Sequence, residues 1–393
     1  MKFQKLGKYT LLELISANTS TEVYLAVGNE ADGIHNFIAI KQFPKASSSN
    51  EEYVNNFLKN ARIFSHLEHP NIVNIKDFGN EQSNLFFAME YVHGKTLLQI
   101  VQALEKDNRQ LPTEHVAHII REIAKGLDYI HMASTSESEI PLNIIHHQVY
   151  PQNILVGYNG EIKIFDFGIP KPEKTDSEIV DAHKKKLGYL SPEEIRKDPI
   201  DYRIDIYALG VIAWELLANR KLFQTENGFE IMKKTKDGDI PDITPFLDPK
   251  YAELASIVNV CLATDRELRY QTGQHIADEL EAFMKNHFPE YSQHVFSEYI
   301  KSLFFYYHEK SSEKLDNFTR SVFGSIDNTE YTPEKESKLT ESVIIANPVG
   351  PLKVISLKDI PSKERKWWEY GIGIAVTLIF IFIVRIIFVN YFR

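Results

Sequence analysis

One stretch constrains this chain more than any other: Ile145-His146-His147-Gln148-Val149-Tyr150-Pro151-Gln152-Asn153-Ile154-Leu155, followed eleven residues later by Asp166-Phe167-Gly168. Its polar residues sit at fixed intervals in an apolar frame, so each is aimed by the turns around it. The segments on either side carry two different periodicities. Tyr9 to Ala26 alternates polar and apolar residues as two short strands joined by a turn would. Phe37-Ile38-Ala39-Ile40-Lys41 is a β-run ending in lysine, and Leu85 to Val92 reads as a buried strand leading into Gly94.

Helical spacing alternates with these runs. From Ser49, with Glu52 three residues on as a capping box, the apolar residues Val54, Phe57, Ala61, Phe64 and Leu67 recur on one face. Leu111 to His131 is a long amphipathic pattern through Val116, Ile119, Ile120, Ile123, Leu127 and Ile130. A polar insert, Ser134 to Glu139, separates it from the central stretch.

In order and spacing these segments resemble the protein kinase family. The central stretch is similar to its catalytic loop, His-Arg-Asp-x-Lys-x-x-Asn-Ile-Leu, and Asp166-Phe167-Gly168 to its metal-binding motif. Ile38 to Lys41 is similar to Val-Ala-Ile-Lys, Leu67-Glu68-His69-Pro70-Asn71-Ile72-Val73 to Leu-x-His-Pro-Asn-Ile-Val, and Ser191-Pro192-Glu193 to Ala-Pro-Glu. Asp201 to Val211 resembles the central buried helix, whose aspartate, here Asp205, braces the catalytic loop. The resemblance runs over about residues 9 to 286 and implies an α+β, two-lobed fold, with a small β-rich N-lobe and a larger helical C-lobe.

It also assigns roles. Lys41 falls where the family holds the α/β-phosphates of ATP, and Asn153 with Asp166 where it holds Mg²⁺. Val23, Ala39 and Leu155 fall on the positions that sandwich the adenine, Met89 on the gatekeeper, and the backbone of Glu90 to Val92 on the adenine-facing hinge. Arg269 falls on the arginine that pairs with Glu193. Taken singly, a lysine after a strand is an ordinary solvated edge charge; the joint register is what singles these positions out.

The departures form a set. The catalytic aspartate is Gln148, the lysine two residues on is Tyr150, the arginine beside the base is His147, and the Gly-Thr pair before the Pro-Glu is Lys185-Lys186. The helix glutamate that pairs with the strand lysine is Asn60. The three phosphate-loop glycines are missing from Ser16-Ala17-Asn18-Thr19-Ser20-Thr21-Glu22-Val23. A carboxamide positions a hydroxyl without taking its proton, and loss of a general base costs about 10²–10⁴ in rate. The resemblance therefore implies a pseudokinase that takes ATP with Mg²⁺ and signals through protein–protein contacts. A weakly active or atypical Ser/Thr kinase and a nucleotide-free scaffold are the alternatives.

Composition bounds the rest. A net charge of −10 without a long basic run argues against nucleic-acid binding, and the single Cys261 excludes an internal disulfide. Gly371 to Val389 is nearly all apolar, about 19 residues, enough for a helix to cross the hydrocarbon core. With aromatic residues at both ends and Lys363, Arg365 and Lys366 ahead of it, it is expected to be a single-pass membrane anchor with the kinase-like part in the cytoplasm. The expected organisation is an N-lobe at 9–92, a C-lobe at 93–287, a helical extension at 288–324, a polar linker at 325–366 and a transmembrane helix at 367–390.

Overall fold

The computed structural model describes residues 3–17, 21–28, 36–43, 51–81, 84–134, 141–166, 186–225, 227–323, 342–343 and 355–356. The chain forms two compact units, Met1–Phe318 and Thr319–Arg393. In the first, strands β1 (Gln4–Leu6), β2 (Tyr9–Ala17), β3 (Glu22–Gly28), β4 (Phe37–Gln42), β5 (Ile75–Glu81) and β6 (Asn84–Glu90) make one antiparallel sheet in the order β1-β2-β3-β4-β6-β5. Helix α1 (Glu51–Phe64) packs on it.

Strand β6 shows why the sheet closes. Its continuous apolar run, Leu85-Phe86-Phe87-Ala88-Met89, is buried throughout because both faces are covered. Successive side chains point to opposite faces, so Phe86 and Ala88 join Leu6, Tyr9, Leu11, Ile38 and Ile40. Leu85, Phe87 and Met89 join Phe57 and Ala61 of α1. The Phe57 ring lies 4.6 Å from that of Phe87 and 5.1 Å from that of Phe43. Each such fully buried side chain stabilises the fold by about 1.5–3 kcal/mol.

The second lobe is helical: α2 (Leu97–Lys106), α3 (Thr113–His131), α4 (Pro192–Arg196), α5 (Arg203–Ala218), α6 (Gly228–Asp237), α7 (Ala252–Cys261) and α8 (Gly273–His287). Helix α5 is apolar on almost every side because the other helices surround it, and its Trp214 indole donates to Pro241 O at 2.9 Å. A small sheet of β7 (Gly94–Thr96), β8 (Ile154–Gly157) and β9 (Ile162–Ile164) lies beneath the cleft. Gly94 is required in it: a Cβ there would lie 2.0 Å from Val156 O.

Beyond α8, the aromatic pattern from Tyr291 to Tyr307 suggests one helix, and the structure has two, α9 (Gln293–Leu303) and α10 (Phe305–Phe323). The break falls at Phe304, which is buried and leaves helical geometry at φ −117°. Helix α10 lies along the connection between the lobes. His93 Nε2 and Ser311 Oγ share a hydrogen bond of 2.6 Å, and the His93 ring stacks on His308. Lys314 pairs with Glu13 of β2, and Phe318 meets Phe3 edge-on. In the second unit, beyond the end of α10, the described residues are β10 (Ser342–Val343) and β11 (Ile355–Ser356), paired antiparallel.

No helix among the described residues is long and apolar enough to cross a membrane. Helix α5 is apolar, but its 16 residues extend about 24 Å, short of a ~30 Å core, and it is buried inside the lobe. The 19-residue helices α3 and α10 carry several charges each. Residues 367–390, on which the transmembrane expectation falls, lie outside the described residues. The fold is two-lobed α+β; the membrane span, the single-pass anchor and the membrane localisation are not retained.

Candidate nucleotide site and catalytic loop

The cleft wall on the sheet side is set by strand register. Lys41 of β4 lies opposite Val23 of β3 and Phe87 of β6, and Ala39 lies opposite Met89. Ala39, Met89 and Val92 thus share an apolar cluster, which Leu155 of β8 joins from below. The amide of Glu90 donates to Asn74 O at 3.0 Å, and its carboxylate accepts from Asn74 N and pairs with Lys163 at 2.9 Å. Among the described residues no protein group bonds the backbone of Val92. The phosphate-loop hairpin closes through Ser16–Val23 and Ala17–Glu22; Asn18, Thr19 and Ser20 lie outside the described residues, as do Ser49, Phe167, Gly168 and Lys185.

Buried Lys41 reaches across the cleft to Asp166, its ammonium on Oδ1. Asn60 of α1 is half-buried and makes no hydrogen bond to Lys41 among the described residues. Asp166 holds φ at +73° and His147 at +61°, left-handed values that are uncommon for residues other than glycine and arise where the surroundings impose them.

Those surroundings begin with Asp205. Its carboxylate accepts from the amides of His146 (2.7 Å) and His147 (2.9 Å) and bonds His131 Nε2 at 2.9 Å. Burial opposes ionisation of this group, yet His131, His146 and the loop amides outweigh it and hold the carboxyl below its usual range. Burial likewise pushes the His146 imidazole down, and its Nδ1 accepts from the Gln148 amide at 3.2 Å.

Gln148 occupies the centre. Its Oε1 accepts from the Tyr150 hydroxyl at 2.9 Å and from Lys186 Nζ at 3.5 Å, and its Nε2 lies 3.5 Å from Asp166 O. Its carbonyl accepts from Asn153 Nδ2 at 3.1 Å, and Asn153 O from the Phe165 amide at 3.1 Å. Burial and the nearby Asp166 raise the Tyr150 phenol above its ordinary range, so it stays a hydrogen-bond donor. Away from the cleft, Arg269 grips Glu193 with two bonds of 2.6 and 2.7 Å, both side chains nearly inaccessible to solvent.

The structure thus brings together Lys41 with Asp166, and Gln148 with Tyr150 and Asn153, and leaves Asn60 apart. Two participants escape the sequence reading. His131 looks like one more polar residue on an amphipathic helix, and Lys186 registers only as a departure from the small pair expected there.

This chain belongs to the protein kinase domain family, which matches residues 9–280. It is 31% identical over 288 residues to the tyrosine-protein kinase MasK of Myxococcus xanthus, covering 72% of this chain and 44% of that protein. It is 30% identical over 285 residues to the serine/threonine-protein kinase PrkC of Bacillus subtilis, covering 72% and 41%. The chain therefore spans less than half the length of these curated relatives. The kinase domain of PknI from Mycobacterium tuberculosis shares the fold, with a TM-score of 0.53 at 24% identity, covering 71% of this chain and 96% of that domain. Domains of this fold generally bind ATP.

Proposed function

We propose that this is a signalling domain of bacterial Ser/Thr kinase type working as a pseudokinase: it binds ATP with Mg²⁺ between lobes at 9–92 and 93–287 and acts through protein contacts. One observation carries the reading. The position facing an incoming hydroxyl is the carboxamide of Gln148, occupied by the Tyr150 hydroxyl and the Lys186 ammonium, and a carboxamide accepts no proton at neutral pH.

The binding half of the site supports nucleotide. Lys41 and Asp166 face each other across the cleft. Val23, Ala39, Met89 and Leu155 offer an apolar slot for a base, and the backbone of Val92 has a donor and an acceptor for its edge. Asp166 and Asn153 are hard oxygen donors that suit Mg²⁺, and since no group of three His, Cys, Asp or Glu among the described residues forms a metal cluster, phosphate oxygens and water would complete its shell. Bound there, the metal supplies charge neutralisation to the phosphates.

The assembled Lys41–Asp166 contact favours a second reading, slow residual transfer to a protein hydroxyl, because positioning carries much of this catalysis. Thermal unfolding of the full chain with ATP, Mg²⁺ or both, beside Asp166→Ala, tests the proposal. ATP at about 100 times its dissociation constant stabilises a fold by ~2.7 kcal/mol, a rise of a few degrees. A magnesium-dependent rise lost in Asp166→Ala is expected; no rise at saturating ATP defeats nucleotide binding. Phosphoryl transfer at the rate of an ordinary kinase, about 1–100 s⁻¹, would defeat the pseudokinase reading.

A further inference from the structure

Helix α10 is fastened to both lobes and to the connection between them. On the sheet side Lys314 pairs with Glu13 of β2, and Phe318 meets Phe3 at 6.4 Å. On the helical side His308 stands edge-on to Tyr158, just past β8, at 4.7 Å, and the Lys95 ammonium of β7 lies 4.8 Å over the Tyr307 ring. Between these, at the connection itself, His93 Nε2 lies 2.6 Å from Ser311 Oγ and its ring stacks on His308 at 5.8 Å.

His93 is the middle fastening, and its surroundings disfavour a charge. Facing it are Tyr91 on the connection (6.3 Å between rings), Lys95 on β7, Tyr158 (4.9 Å), and His308 and Ser311 on α10. Two of these are basic and none is a carboxylate. The acids nearby are engaged elsewhere: Glu309 reaches His308 Nδ1 at 3.5 Å, and Glu13 pairs with Lys314 and acts on Tyr91. Burial first, then His308 and Lys95, push the His93 imidazole down to about 4. The ring is neutral while α10 is docked.

We propose that α10 is a strap released by acid: a proton on His93 undoes the middle fastening, and the helix lifts from the connection between the lobes. The inference does not depend on the nucleotide reading above. With α10 lifted, His93 regains water and titrates near its ordinary ~6.5. The lifted form then binds more protons than the docked form between about 4 and ~6.5. Docking is therefore full above that window and weakens as the pH falls through it. For one proton the docking equilibrium drops by up to about tenfold between about pH 7.5 and 5.5.

The test is amide hydrogen exchange of the full chain at about pH 7.5, 6.5 and 5.5, corrected for the intrinsic rate, with α8 of the same sample as the reference for global opening. Protection of α10 is expected to fall about tenfold over that range while α8 keeps its own. His93→Gln, which takes no proton, is expected to hold α10 equally at every pH. Protection of α10 that ignores pH, that falls together with α8, or that still falls in His93→Gln overturns the proposal. Where His93→Gln already frees α10 at the highest pH, Lys95→Met decides. Without the neighbouring ammonium the fall becomes shallower, and an unchanged fall overturns the proposal.

Discussion

The Glu193–Arg269 pair and the loop around Gln148 lie in the same lobe and are built on different terms. The pair is ionic, shielded from solvent, and completed by further bonds from Arg269 to Ala263 O (2.8 Å) and Arg203 O (3.1 Å). The centre of the loop is a neutral carboxamide held by a phenol and a half-buried ammonium. A buried charge without its partner is costly enough to unfold a domain, so the pair cannot drift one residue at a time. A carboxamide held by a phenol and an ammonium can change without stranding a buried charge. Asp205 links the two regions, for it is buried and charged yet its bonds go to the amides of the loop.

The comparison breaks most visibly at the pair. Arg269→Met leaves the Glu193 carboxylate buried alone and is expected to destabilise the fold by ~3–5 kcal/mol, read from the urea midpoint. Adding Glu193→Met should recover most of that loss; an additive further loss would show that the charges themselves hold the lobe. Asp205→Asn comes next. It keeps the shape but turns a donor toward a donor, and should cost about 1.5–3 kcal/mol, with faster hydrogen exchange at the His146 and His147 amides. Gln148→Asp has the smallest expected effect, a stability gain of ~0–1 kcal/mol from pairing with Lys186. Its gain in phosphoryl transfer should fall short of the ~10²-fold of a working base, because Tyr150 and Lys186 still occupy the new carboxylate; a larger gain would mean that the loop lacks only its base.

Much of the molecule was legible where a long-range partner is dictated by pattern. The apolar run of β6 announces a strand covered on both faces. Glu193 and Arg269 were named as a pair only by the resemblance to the kinase family, and the structure shows the two bonds between them. Side chains whose role depends on a path through space stayed hidden. His131 lies 74 residues from Asp205 and Lys186 lies 38 from Gln148, and no local spacing signals either contact. The break at Phe304 escaped for the opposite reason, since the aromatic stripe continues across it and burial alone makes the turn. The apolar run near the C-terminus, read as a membrane helix on length and flanking residues, lies outside the described residues, and no described helix is long and apolar enough to cross a membrane.

Helix α10 spans the joint about which the lobes would rock, tied at His93, at Glu13 and at Phe3. A cleft that changes its opening must either carry this helix along or break those ties. Work done by a ligand between the lobes is therefore partly delivered to the helix, and whatever takes hold of the helix returns the same free energy to the cleft, since linkage between two binding events is reciprocal. The helix is in this sense a second handle on the cleft.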